Sequence, residues 1–134
     1  MGAFRDSAHA AKIFGGFFRE EATLDERTFS GSGLVIAYTL HDPSLRIVLD
    51  ARSKPEPGHA YDVFIDDPSA PEPVVDISMD CDTFDKLYSG EVQPMALMMS
   101  GKTSSKGDIT AAMRMLPAMA RAIPRYKKYR ETNQ

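Results

Sequence analysis

The spacing of apolar residues changes twice along this chain of 134 residues and divides it into three parts. In residues 3–20, Phe4, Ala8, Ala11, Phe14, Phe17 and Phe18 recur at three- and four-residue steps, which predicts a helix with one apolar face. Gly15 and Gly16 weaken its second half and suggest a bend. Residues 21–31 are polar and run into Ser30-Gly31-Ser32-Gly33, a loop. The period then falls to two. Leu34, Ile36, Tyr38 and Leu40 share one face of a strand over 34–40, and Leu45, Ile47, Leu49 and Ala51 do so over 45–51. Tyr61, Val63 and Ile65 follow in 60–66, then Val75, Ile77 and Met79 in 74–79. Polar residues such as Arg46, Asp62 and Asp76 alternate with them, so the expected sheet is covered on one side and wet on the other. His41-Asp42-Pro43-Ser44 reads as a tight turn, with Pro-rich loops at Pro55 to Gly58 and Pro68 to Pro73. Short connections predict antiparallel pairing.

After residue 79 the helical period returns in short pieces. Asp80 is placed to cap a helix in which Phe84, Leu87 and Tyr88 share a face, and Gly90 to end it. Pro94 suits the first turn of a second short helix through Met99, and Gly101 to Gly107 suits a short extended piece. Asp108 is placed to cap a last helix with Ile109, Ala112, Met113, Leu116, Ala120 and Ile123 on one face, kinked at Pro117. The expected fold class is α+β, with helices layered on one face of a sheet, in one domain over 1–134.

Composition narrows the function. The net charge of −3 argues against nucleic acid as a partner. From Arg121 onward five basic residues face only Glu131, a net +4 that leaves −7 on the rest. Residues 124–134 therefore read as a basic C-terminal tail, a solvated and frayed end that offers transient contact with an anionic membrane surface. The single Cys81 excludes an internal disulfide. No apolar run approaches the roughly 20 residues that span a bilayer. No secretory, myristoylation or peroxisomal signal stands out, so the cytoplasm is the expected compartment.

Candidate chemistry is sparse. Gly101-Lys102-Thr103 resembles the end of a phosphate loop, but Ala96 stands where that loop needs glycine, and a turn leaving a helix is the better reading. Cys81 lies between Asp80 and Asp82, which disfavour a thiolate. His9, His41 and His59 have no metal-type spacing, and solvated histidine is the default for each. The Asp residues from Asp62 to Asp82 fall on the polar strand face or at a cap. No catalytic residue, metal or cofactor is expected. Methionine says more. Met95, Met98, Met99, Met113 and Met115 cluster, and Met119 follows. Such flexible, polarizable side chains adapt to ligands of varied shape, although a Met-filled core is the plainer alternative.

The segment from Asp76 to Met119 resembles the sterol carrier protein-2 family. The resemblance rests on Ser78-Met79-Asp80, Phe84 and Leu87, Gly90, Gln93-Pro94-Met95-Ala96, Met99-Ser100-Gly101-Lys102, Lys106-Gly107-Asp108 and Ala112-Met113, in order and in spacing. It implies a five-stranded, mainly antiparallel sheet covered by helices that enclose an apolar tunnel. It also implies non-enzymatic binding of fatty acid, fatty acyl-CoA, sterol or phospholipid; transfer between membranes is a further expectation, through the apolar helical cover and the basic stretch Arg125 to Arg130 at the lipid surface. Helical phase and the family layout together give the expected lining: Phe84, Leu87, Met95, Met98, Met99, Met113 and Leu116. One departure matters. Where the family alternates apolar residues with lysines after the Gly-Lys turn, this chain has Thr103 and Ser105. One wall is then more polar, which favours a ligand with a polar group or a smaller cavity. The alternatives are an accessory or interaction module with a reduced pocket, and a small enzyme acting on acyl-CoA or lipid.

Overall fold

A computed structural model describes residues 4–24, 33–52, 61–114 and 116–133. The expectations placed on Ser30 to Ser32, on Pro55 to Gly58, on His59 and on Met115 lie outside them. Its elements are α1 (Ser7–Leu24), β1 (Val35–His41), β2 (Leu45–Asp50), β3 (Asp62–Ile65), β4 (Val75–Asp80), α2 (Cys81–Tyr88), α3 (Pro94–Met99), β5 (Ser104–Gly107), α4 (Ile109–Arg114) and α5 (Leu116–Thr132). This is the expected α+β class, with five strands in the order β3-β2-β1-β4-β5.

The sheet is mixed. β1–β2, β2–β3 and β4–β5 pair antiparallel, but β1 and β4 pair in parallel, with Ile36 opposite Val75 and Leu40 opposite Met79. Short connections do not enforce antiparallel pairing here. Residues 66–74 leave β3 at one edge and reach β4 beyond both β2 and β1, and Val74 N–H donates to Val35 O on the way (2.9 Å). That crossover corrects a second expectation. The face of the sheet away from the helices is not simply wet: Val35, Ala37 and Val48 are buried there, packed by Phe64 and by Ala70 of the crossover.

The other face carries the main core. All the period-two sets pack into it, with Phe14, Phe17, Phe18, Phe84 and Tyr126. Aromatic rings meet edge to face, Phe14 and Tyr38 each 4.8 Å from Phe84 and Phe17 4.8 Å from Tyr126, the geometry that the ring quadrupole favours.

α1 starts later than the pattern suggests and runs on to Leu24, past the point where polar residues suggested a loop. Asp6 accepts from His9 N–H (2.8 Å) at its start. The helix is continuous through Gly15 and Gly16. A Cβ on Gly15 would lie 3.3 Å from Ile65, and one on Gly16 would lie 2.6 Å from the Tyr129 hydroxyl. The glycines therefore serve close approach to β3 and α5, not a bend.

The short elements end as their residues dictate. Asp80 caps α2 through Thr83 N–H (2.6 Å), and Glu91 N–H closes its other end on Lys86 O (2.9 Å). Asp108 caps α4 through Ala111 N–H (3.2 Å). Gly107 ends β5 at φ +102°, where an added Cβ would fall 2.2 Å from Val74 O, so only glycine fits. The kink expected at Pro117 turns on its junction with Met115, which lies outside the described residues.

The basic C-terminal segment is a docked helix rather than a frayed tail. Arg125 pairs bidentately with the buried Glu21 of α1. Tyr126 and Arg130 both donate to Asp85, Arg130 at 3.0 Å. Tyr129 donates to Ile13 O (2.8 Å). Arg130 also lies 5.3 Å over the Phe4 ring. No helix among the described residues is long and apolar enough to cross a membrane.

Candidate lipid-binding site

The inward face of the sheet and the short helices leave an apolar cavity between them. Tyr38, Ile77 and Met79 form its sheet wall, because they share the inward phase of β1 and β4. Leu87 comes from the end of α2, and Pro94, Leu97 and Met98 from α3. Thr103, Ala112, Met113, Leu116 and Met119 complete it from the last part of the chain. None of these residues carries a charge. The cavity volume is about 60 Å³. A groove of about 270 Å³ adjoins it behind Pro94, Leu116 and Met119, and includes Met95, Ala120 and Ile123.

The expected lining residues separate in space. Leu87, Met98, Met113 and Leu116 meet in the cavity, and Met95 lies in the adjoining groove. Phe84 does not border either; it is fully buried in the aromatic core. Met99 is 85% exposed and points away. The phase of a six-residue helix places Leu97 under the cover and leaves Met99 outside. A Met-filled core is not what forms: Met79 and Met119 are buried, while Met98 and Met113 at the cavity and Met95 in the adjoining groove are 39–50% exposed. The pattern of the strands already carried Tyr38, Ile77 and Met79, but only as core. Thr103 stood out as a departure, and it does line the cavity.

Tyr38 is a buried polar side chain of the lining. Its hydroxyl meets that of Tyr88 at 3.1 Å, wholly buried. Burial pushes the Tyr38 hydroxyl up to about 12, against the opposing hydrogen bond, and Tyr88 well above its ordinary value, so both stay neutral. Cys81 is buried too. Its thiol donates to Pro43 O (3.1 Å), and burial, helped by Asp82, Asp80 and Asp42, pushes it up to about 12. It is no nucleophile at neutral pH. His9 is not the solvated histidine expected. It is 8% exposed, and its Nδ1 accepts from Arg5 N–H (3.1 Å). His41 lies at the surface beside Asp42. Among the described residues no cluster of His, Cys, Asp and Glu is arranged to hold a metal.

A third cleft, of about 370 Å³, lies between α1 and α5. Phe17 and Tyr129 line it together with Glu20, Glu21, Arg125 and Lys128. Its charged walls contrast with the apolar cavity.

A mixed five-stranded sheet with an uncharged apolar cavity under short helices defines a small α+β fold with a site for an apolar ligand. The chain belongs to the SCP-2 sterol transfer family, which matches residues 14–119. The sterol carrier protein domain 2 of Helicoverpa armigera has a similar fold: TM-score 0.67, 15% identity, over 92% of this chain and 96% of that one. The apo form of sterol carrier protein 2 from Yarrowia lipolytica is also similar, with TM-score 0.56 and 16% identity over 85% of each chain. A double mutant of the sec-alkyl sulfatase PisA1 matches 78% of this chain at TM-score 0.56 and 14% identity, but only 15% of its own length. At these identities the likeness is one of fold. No curated protein matches the chain in sequence.

Proposed function

We propose that this chain is a non-enzymatic carrier that takes one lipid into the cavity between the sheet and α3–α5 and releases it at a membrane surface. One observation carries the reading: a cavity whose lining is almost wholly apolar, without charge, roofed by exposed methionines on a short helix. Apolar walls reward the transfer of a hydrocarbon chain out of water by about 0.8 kcal/mol per methylene. Methionine lets the roof repack around ligands of different shape. Family membership supports the same reading. Fatty acid, fatty acyl-CoA, sterol and phospholipid are the candidate ligands.

The cavity of about 60 Å³ is well below the roughly 300–1,000 Å³ usual for small-molecule sites. Binding therefore needs α3 to move out and join the cavity to the adjoining groove of about 270 Å³. The same number supports a second reading, an accessory module with a reduced pocket. Native mass spectrometry of freshly purified protein, followed by extraction of bound lipid, separates the two. The carrier reading expects a co-purifying lipid or uptake of a fluorescent fatty acid at one per chain. Protein that is empty and refuses the fatty acid would instead be the accessory module.

A further inference from the structure

Four methionines line the apolar cavity, and they differ in their access to water. Met79 and Met119 are buried, whereas Met98 of α3 and Met113 of α4 are 43% and 39% exposed. A thioether sulfur is oxidised by peroxides, and exposure governs which sulfur is reached. A sulfur lone pair attacks one oxygen of hydrogen peroxide. An S–O bond forms, the O–O bond breaks, and the departing hydroxide takes the remaining proton to leave as water. Sulfur loses an electron pair and the peroxide gains it. The product is a polar sulfoxide on what was an apolar side chain.

The walls of the cavity do not suit that product. A sulfoxide oxygen is an acceptor, and among the described residues Tyr38 and Thr103 carry the only side-chain donors of the lining. The Tyr38 hydroxyl is already engaged with that of Tyr88. Two sulfoxides packed against this lining would lose water and find few partners in exchange. Turning out to solvent costs little, because α3 buries only Leu97. The apolar cover then no longer closes on a hydrocarbon.

We propose that Met98 and Met113 are sites of reversible oxidation by a peroxide, and that their sulfoxides open the cover and release the lipid. This release rests on the carrier reading above and adds to it a control by oxidants.

The test treats the full chain with dilute hydrogen peroxide and maps the added oxygen by peptide mass spectrometry. Met98 and Met113 should be oxidised before Met79 and Met119. Affinity for a fluorescent fatty acid is read before treatment, after it, and after the two methionine sulfoxide reductases with a dithiol. Oxidation should weaken binding at least about fivefold, the cost of leaving a buried polar group short of partners, and reduction should restore it. Each variant is compared with its own untreated form. Met98→Leu together with Met113→Leu should hold its affinity through the treatment, and Met99→Leu should lose affinity as the wild type does. Oxidised wild type that binds as before, a loss that reduction does not reverse, or an equal loss in the double leucine variant would overturn the release and leave the carrier reading standing. The last result would place the damage elsewhere, at Cys81 or another methionine. If untreated wild type takes up no fatty acid, the carrier reading falls and the release with it.

Discussion

Cys81, Tyr38, Tyr88 and Tyr126 all gain pKa on folding, and burial is the first cause in each case. Their ordinary values are 9.0 for the thiol and 10.0 for the phenols. The sign is fixed by which state lets go of protons first. Above about pH 9 the unfolded chain ionises Cys81 while the folded chain keeps its proton, up to about 12. The unfolded state then binds fewer protons, so stability falls as pH rises through that window; above about pH 10 the tyrosines add to the slope. We expect the urea midpoint to hold between about pH 7 and pH 8.5 and to decline from about pH 9. Cys81→Ser should postpone the decline to about pH 10. A variant that tracks the wild type through the whole range would show that the thiol is not held neutral by the fold. At this scale the chain was half legible. The acidic neighbours of Cys81 could be read from adjacency in sequence. The burial of His9 could not, because it comes from Phe4 and α1 turning together, with the rings 5.6 Å apart.

Elements were read best where a local residue decides the outcome. Asp80, Pro94 and Asp108 cap or open their helices because capping is settled within three or four residues. The misread stretches are those where a distant partner decides. Gly15-Gly16 looks like a weak point until Ile65 and Tyr129 are seen against it. Residues 124–132 look like a tail until Glu21, Asp85 and Ile13 supply partners more than forty positions away. Docking of α5 makes a prediction that a frayed end does not. Tyr126 is fully buried against Phe17 and Tyr88. Tyr126→Ala should cost roughly 3–5 kcal/mol in urea unfolding, as large-to-small core changes do. Tyr126→Phe, which removes only the hydroxyl given to Asp85, should cost about 1–2 kcal/mol. Lys127→Ala and Lys128→Ala, both at the exposed face, should stay within about 0.5 kcal/mol. If Tyr126→Ala proves as mild as the lysine changes, the helix is not docked as described.

Across the whole molecule, layer and class follow from the period-two strands and the apolar faces of the helices, whereas the parallel β1–β4 pair and the buried second face follow from a crossover whose path no local pattern encodes. The location of the site depends on the same global arrangement. Three openings among the described residues compete: the apolar cavity, its neighbouring groove and the charged α1–α5 cleft, at about 370 Å³ the largest of these three. Size favours the cleft, but its walls hold Glu20, Glu21, Arg125 and Lys128, and a hydrocarbon would gain little by displacing water from them. The cavity offers the better chemistry beneath the weaker lid. α3 buries only Leu97, and β5 is exposed at all four residues, so this side should open at low cost. Hydrogen exchange can decide between them. Amides of α3, β5 and α4 should exchange faster than those of β1, β2 and β4 in the ligand-free chain. A bound lipid should slow them selectively, leaving the ends of α1 and α5 as they were. Protection appearing instead at Glu20, Glu21 and Arg125 to Tyr129 would move the ligand to the cleft, and with it the meaning of every methionine on the opposite side.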